Sequence, residues 1–296
     1  MPIDYAKLKA WPFQDVEQTY GEHDTILYAL GLGLGHDPMD EQQLRFVYEK
    51  NLQALPTMPV VLGYPGFWMK DPASGIDWVR LVHGEQSLTL HHPLPPTGTV
   101  VGRTRITALV DKGPGKGALV HQERTLHDKA SGTLYATLGH VTFCRADGGF
   151  SDLPGNGPKG GDPAPAPRPA VPDTPPDLTC DLPTLPQAAL IYRLCADPNP
   201  LHAEPEVARA AGFPRPILHG LATYGVAGHA ILKTLCDYRP ARLKSLGVRF
   251  SSPVFPGETL RTEIWRTGNE VRFRARVLER DTVVLSHGTA SLDPAA

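Results

Sequence analysis

The chain has 296 residues, 41% of them hydrophobic and 20% charged, and a net charge of −2. That length exceeds what one core usually organises, so two domains or two fused repeats are expected. The composition excludes a disordered chain, and the near-neutral balance gives no footprint for nucleic acid. Cys144, Cys180, Cys195 and Cys236 show no C-x-x-C spacing, so the pattern favours reduced thiols over a disulfide framework or a cysteine zinc site. The first ten residues, with Asp4, Lys7 and Lys9, do not read as a secretory leader. No apolar run approaches membrane-spanning length, and the ending Asp293-Pro294-Ala295-Ala296 matches neither a peroxisomal tripeptide nor a lipidation box. A cytoplasmic protein without membrane or nucleic-acid partners is the expectation.

In chain order, strands are predicted near Ser87 to Leu90, Thr99 to Val110, Ala118 to His127 and Thr133 to Arg145. Gly113-Pro114-Gly115 and Ala130-Ser131-Gly132 supply turns between them. From Ser151 to Thr179 nine prolines and several glycines accumulate. This composition rules out a helix interior and reads as a linker. The expected division is residues 1–150, 151–180 and 181–296. Beyond the linker, helical composition runs from Leu201 to Ala211, with Pro205 near its start and Gly212 past its end. A longer helix is predicted from Gly220 to Leu235, where Leu221, Tyr224, Gly228, Ile231 and Leu235 recur at helical spacing and small residues permit close approach. Period-two alternation then predicts strands at 248–250, 260–264, 271–277 and 282–292, joined by short turns and therefore antiparallel. Pro93, Pro96, Thr99 and Val100 match Pro253, Pro256, Thr259 and Leu260 at one constant offset, the mark of an internal duplication. The fold class is α+β: two repeats, each an antiparallel sheet wrapped round a central helix.

The stretch Tyr192 to His202 packs a carboxylate (Asp197), an amide (Asn199) and an imidazole (His202) into six positions, in a loop stiffened by Pro198 and Pro200. Asn199 before Pro200 reads as a cap followed by proline in the first turn, which brings Asp197 and His202 towards one small volume. Adding water across a C=C bond requires one group to take a proton and another to deliver one, and such a pair supplies both. Charge developing on a thioester oxygen would be met by N–H groups at a helix start, and Gly220 opens the long helix with no side chain in the way. The plain alternative is a capped tight turn without catalysis, since Asp-Pro-Asn-Pro builds such turns by itself. His219 taken alone reads as a satisfied core histidine and Cys195 as an inert buried thiol. No second histidine or cysteine lies at ligand spacing to His202, so no metal is expected.

These residues resemble the (R)-specific enoyl-CoA hydratases, hydratase 2, of the MaoC-like dehydratase group with a hot-dog fold. The resemblance is carried by Tyr192-Arg193-Leu194, Asp197-x-Asn199-Pro200-Leu201-His202, Ala211-Gly212-Phe213, Pro216 to Leu221, and Val248-Arg249-Phe250 with Pro253, Val254, Pro256 and Gly257. It continues into the first repeat through Ile26 to Gly33 and Val61 to Gly66, and departs from the common pattern at Cys195-Ala196 and Glu204. The resemblance implies a double hot-dog homodimer that interconverts trans-2-enoyl-CoA and (3R)-3-hydroxyacyl-CoA with no cofactor, CoA being part of the substrate. By the same resemblance Asp197 and His202 fall on the catalytic dyad that holds one water, Asn199 on its polar helper and Gly220 on the thioester contact. The first repeat carries no Asp-x-Asn-x-x-His, and its groove is expected to house an acyl tail. A thioesterase on the same fold and a non-catalytic acyl-CoA-binding subunit are the rival readings. Arg272, Arg274 and Arg276, alternating on one strand, read as solvated charges or as phosphate contacts.

Overall fold

The computed structural model describes residues 2–195 and 197–293. Its first half contains α1 (Tyr5–Lys9), β1 (Val16–Tyr20), α2 (Glu22–Gly31), α3 (Glu41–Val47), β2 (Leu81–Leu90), β3 (Gly98–Asp111), β4 (Ala118–Asp128) and β5 (Leu134–Cys144). The second half contains β6 (Leu178–Pro183), α4 (Ala188–Tyr192), α5 (Pro205–Ala210), α6 (Gly220–Leu235), β7 (Leu243–Phe250), β8 (Thr259–Thr267), β9 (Glu270–Val277) and β10 (Thr282–Leu292). The alternating segments all form strands, because half-buried period-two patterns have no stable helical arrangement.

The strands form one sheet in the order β1-β3-β4-β5-β2-β7-β10-β9-β8-β6. Read outward from the β2–β7 join, the two halves have the same topology, so the duplication is visible in the connectivity. Pro93 and Pro96 lie between β2 and β3, and Pro253 and Pro256 lie between β7 and β8. The join is antiparallel, with Gln86 opposite Val248 and Leu88 opposite Leu246. Nothing in the local pattern of either strand announces this pairing, and the edge strands β1 and β6 carried no sequence signal strong enough to be predicted.

Helix α6 is buried at every position from Ala222 to Leu232 and again at Leu235. A helix buried on all sides belongs at the centre of a wrapped sheet. Its glycines admit the first half: a Cβ at Gly225 would lie 2.6 Å from Leu32, and one at Gly228 would lie 2.5 Å from the Thr57 methyl. The first half of the sheet is covered instead by α2 and a short 3-10 turn at Met58–Val61, with α3 packed on α2. The predicted helix from Leu201 to Ala211 is divided into a 3-10 turn, Pro200–His202, and α5. Pro205 lacks the N–H that continuation would need, so it starts a new helix in the N-terminal position it favours.

The proline-rich segment lies along the outer face of the sheet. Arg168 crosses Gly247, where any Cβ would meet its guanidinium, and bonds Glu85 at 3.1 Å and Thr289 at 3.2 Å. Arg249 holds the same Glu85 at 2.8 Å. Glu85 therefore ties the segment across the β2–β7 join.

Candidate active site

The site grows from the loop after α4. Tyr192 is buried at the end of that helix, with its ring 5.9 Å from Tyr28 and 5.0 Å from His219. Ala196, where the sequence departs from the common motif, lies outside the described residues. Asp197 accepts from the Asn199 N–H at 3.0 Å, and Asn199 accepts from the Leu201 N–H at 3.1 Å. These local bonds close a turn stiffened by Pro198 and Pro200 and cap the 3-10 turn that carries His202. The capping expected of Asn199 is present, and its carbonyl oxygen is engaged in it.

His202 is brought to Asp197 by a tertiary contact. Its Nδ1 lies 2.8 Å from the Ile217 carbonyl. A carbonyl only accepts, so Nδ1 carries the hydrogen and Nε2 of the neutral ring keeps a lone pair. That Nε2 lies 4.0 Å from Asp197 Oδ2, with the histidine side chain 9% exposed and the aspartate 52%. Burial lowers the His202 pKa, opposed by the Ile217 carbonyl and by the Asp197 charge. The result is a neutral base and a carboxylate facing one gap, with the carboxylate open to solvent.

His219, read from sequence as a core histidine, is buried at 2% exposure and also belongs to this arrangement. Its Nε2 donates to the Asp197 carbonyl at 3.0 Å, and its ring stacks on His202 with centroids 3.7 Å apart. Burial, reinforced by the neighbouring His202, brings its pKa down to about 3. Asp197, His202 and His219 each place one donor atom within 4.8 Å of the others, a trio that could hold a cation. Sequence spacing showed only one of the two histidines, because the other arrives from the far side of α5.

His219 also caps α6, so Gly220 is the first residue of that sixteen-residue helix. The first N–H groups of a helix have no partner within it and carry the positive end of its dipole. A Cβ on Gly220 would lie 3.2 Å from the Phe250 ring, so glycine keeps the helix start uncovered there. Four predicted residues therefore fall in one region: Asp197 and His202 face each other, Asn199 shapes their loop and Gly220 begins the adjacent helix.

Cys195 is half-buried and burial pushes its thiol up to about 12, which makes it a poor nucleophile. The three arginines of β9 are engaged within the chain. Arg274 pairs with Glu263, Arg276 with Asp281 at 2.8 Å, and Arg272 donates to the Ala170 carbonyl at 3.3 Å.

Two family models cover most of the chain: "MFE-2 hydratase 2 N-terminal domain" matches residues 18–146 and "MaoC like domain" matches residues 168–287. "Enoyl-CoA hydratase 2, peroxisomal" of Arabidopsis thaliana is 38% identical, over 94% of this chain and 92% of its own length. "3-hydroxyacyl-thioester dehydratase Y" of Mycobacterium tuberculosis is 41% identical, over 90% of this chain and 91% of its own. The crystal structure of a MaoC-like dehydratase from Phytophthora capsici superposes with a TM-score of 0.85 at 34% identity, covering 99% of this chain and 100% of that one. With its mirrored ten-stranded sheet and buried helix, this chain belongs to the MaoC-like, hydratase 2 family of double hot-dog proteins.

Proposed function

We propose that this protein hydrates trans-2-enoyl-CoA to (3R)-3-hydroxyacyl-CoA, reversibly, with Asp197 and His202 holding the reacting water. The observation that carries the reading is the 4.0 Å gap between Asp197 Oδ2 and a His202 Nε2 left as an acceptor by its Ile217 bond. A water about 2.8 Å from each would see them at about 90°, somewhat below the angle between its own O–H bonds. Both its hydrogens then point into the dyad, and its lone pairs face outward towards C3 of a bound enoyl thioester.

As the C3–O bond forms, one water proton passes to the dyad and electron density moves through C2 to the thioester oxygen. The start of α6 at Gly220 supplies fixed N–H dipoles for that oxygen. Protonation of C2 completes the addition, and the reverse sequence eliminates water. No redox step occurs and none of these steps calls for a metal, so the reaction needs no cofactor beyond the CoA of the substrate. We further propose a homodimer in the cytoplasm. Light scattering at about twice the mass of the chain and a fluorescent fusion spread through the cytosol are the expected results, and a monomer or an organelle pattern would refute them.

The test is loss of enoyl thioester absorbance on crotonyl-CoA, with thiol release and product chirality measured in parallel. Hydration without free CoA, yielding the (3R) product, is expected. Asp197→Asn, whose amide cannot take the proton, should lower kcat by about 10³-fold or more while ligand binding persists. Undiminished turnover in that variant, or CoA released from saturated esters, would overturn the assignment.

A further inference from the structure

The inner face of the first half of the sheet should be hydrocarbon, since it faces the core, yet a polar band crosses it between two separate apolar clusters. One cluster holds Leu88, Val100, Leu126 and Leu138, the other Ile106, Val120, Cys144 and Phe150. Between them, in register across three strands, stand Gln122, His140 and Gln86, with Arg124 next along β4. One end of the band runs towards the proposed site, and the other ends beside Tyr64.

One end leads through rings. The Phe250 ring that packs against Gly220 lies 4.5 Å from His83, which stacks on His140 at 3.8 Å. The other end stops at Tyr64. Arg124 lies 5.7 Å from the Tyr64 ring. Burial above all, and then the Asp197 charge, raise the pKa of the Tyr64 hydroxyl while Arg124 lowers it, although the residue as a whole keeps 46% of its surface exposed. Tyr64 stands on a fixed support: Gly63 has φ of 59°, and a Cβ there would come within 2.8 Å of the Gly102 backbone. Ring contacts therefore lead from the start of α6 through Phe250 and His83 to His140, and Arg124 stands one step further along the same face of the sheet, beside Tyr64.

That cation lacks a counter-ion. Its Nη2 donates to the Val60 carbonyl at 2.7 Å and weakly to the Pro59 carbonyl at 3.4 Å, and Nε is buried without a partner. Among the described residues no carboxylate pairs with it, and the adjacent His140 is held neutral by burial and by its charged and imidazole neighbours. A guanidinium with only neutral carbonyls and the face of one tyrosine ring for company is poorly compensated, and a carboxylate is the ligand that compensates it best.

We propose that Arg124 selects substrates whose acyl chain ends in a carboxylate, with Tyr64 forming the side of the passage between that group and the reacting carbons. This rests on the hydratase reading above. Hydrocarbon tails would leave Arg124 desolvated and unpaired, so the same wall rejects them.

The experiment compares kcat/KM for trans-2-enoyl-CoA esters of matched chain length ending in methyl or in carboxylate, with crotonyl-CoA as a short reference. A preference for the carboxylate of about 10- to 100-fold is expected of the wild-type protein, the scale of one charged hydrogen-bonded contact. Arg124→Met should bring the ratio to about one. Arg105→Met, on the exposed Arg105–Glu123 pair, should keep the wild-type ratio. A wild-type ratio at or below one overturns the inference without any variant. So does a loss in Arg124→Met that is equal for every ester including crotonyl-CoA, because that places the arginine on the CoA portion or in the scaffold. If crotonyl-CoA itself is not hydrated, the hydratase reading has failed; if it is hydrated and the ratio is near one, only the carboxylate assignment has.

Discussion

The most quantitative consequence of the structure is acid lability. His219 and His229 are 2% and 3% exposed and are held neutral, with pKa values brought down to about 3 and about 4 by burial above all. In the unfolded chain each would titrate near 6.5. Because the folded state resists protonation, the unfolded state binds more protons once the pH falls below that value. Stability is therefore fully present above about pH 6.5 and is lost as the pH falls towards the folded pKa values. At pH 5 each of the two costs about 2 kcal/mol, or about 4 kcal/mol together. His83, brought down to about 4 by burial, adds in the same direction. Against a typical total of about 5–15 kcal/mol, that is a large fraction. Urea denaturation followed by circular dichroism between pH 7.5 and 5 should show a midpoint falling steadily below about pH 6.5, with a limiting slope of about 1.4 kcal/mol per pH unit for each histidine. His229→Gln should remove one such contribution. A midpoint that does not move over this range, or an unaltered slope in His229→Gln, would refute the claim that these imidazoles are buried neutral.

Other expectations follow from the same contacts. If His202 acts as the proposed base, with a pKa below its ordinary value, kcat/KM should be flat near pH 7 and fall on the acid side only below about pH 6.5; a limb centred above that would contradict its burial. Gly228→Ala would place a methyl 2.5 Å from Thr57, a buried residue whose hydroxyl accepts from Tyr28 at 3.1 Å. The overpacking of about 1–3 kcal/mol should outweigh the helix propensity gained, and thermal melting would read the loss. Dialysis against a chelator should leave hydration of crotonyl-CoA intact, whereas a loss restored by a divalent cation would assign the Asp197, His202 and His219 trio to a metal.

Much of the second half was legible because its determinants are local. The start and end of α6, the strands after it and the cap at Asn199 follow from residue spacing, proline and glycine placement and side-chain bonds within a few positions. The same holds for Asp197 and His202 as candidates, since both lie on one short turn. The first half was legible as strands, but its helical cover was not, because α2 and α3 are short and draw their stability from packing rather than from a long periodic stripe.

What only the tertiary structure decided is which groups meet. The tautomer of His202 depends on Ile217, and the placement of His219 on the crossing of α6 beneath the loop. Arg124 and His140 are brought onto one face by the pairing of β4 with β5, and His140 meets Phe250 through His83 of β2. Local pattern records which face of an element is buried, since that is a free-energy preference of each residue on its own. It carries no record of what stands opposite, because the partner comes from a distant part of the chain whose approach is set by the whole sheet.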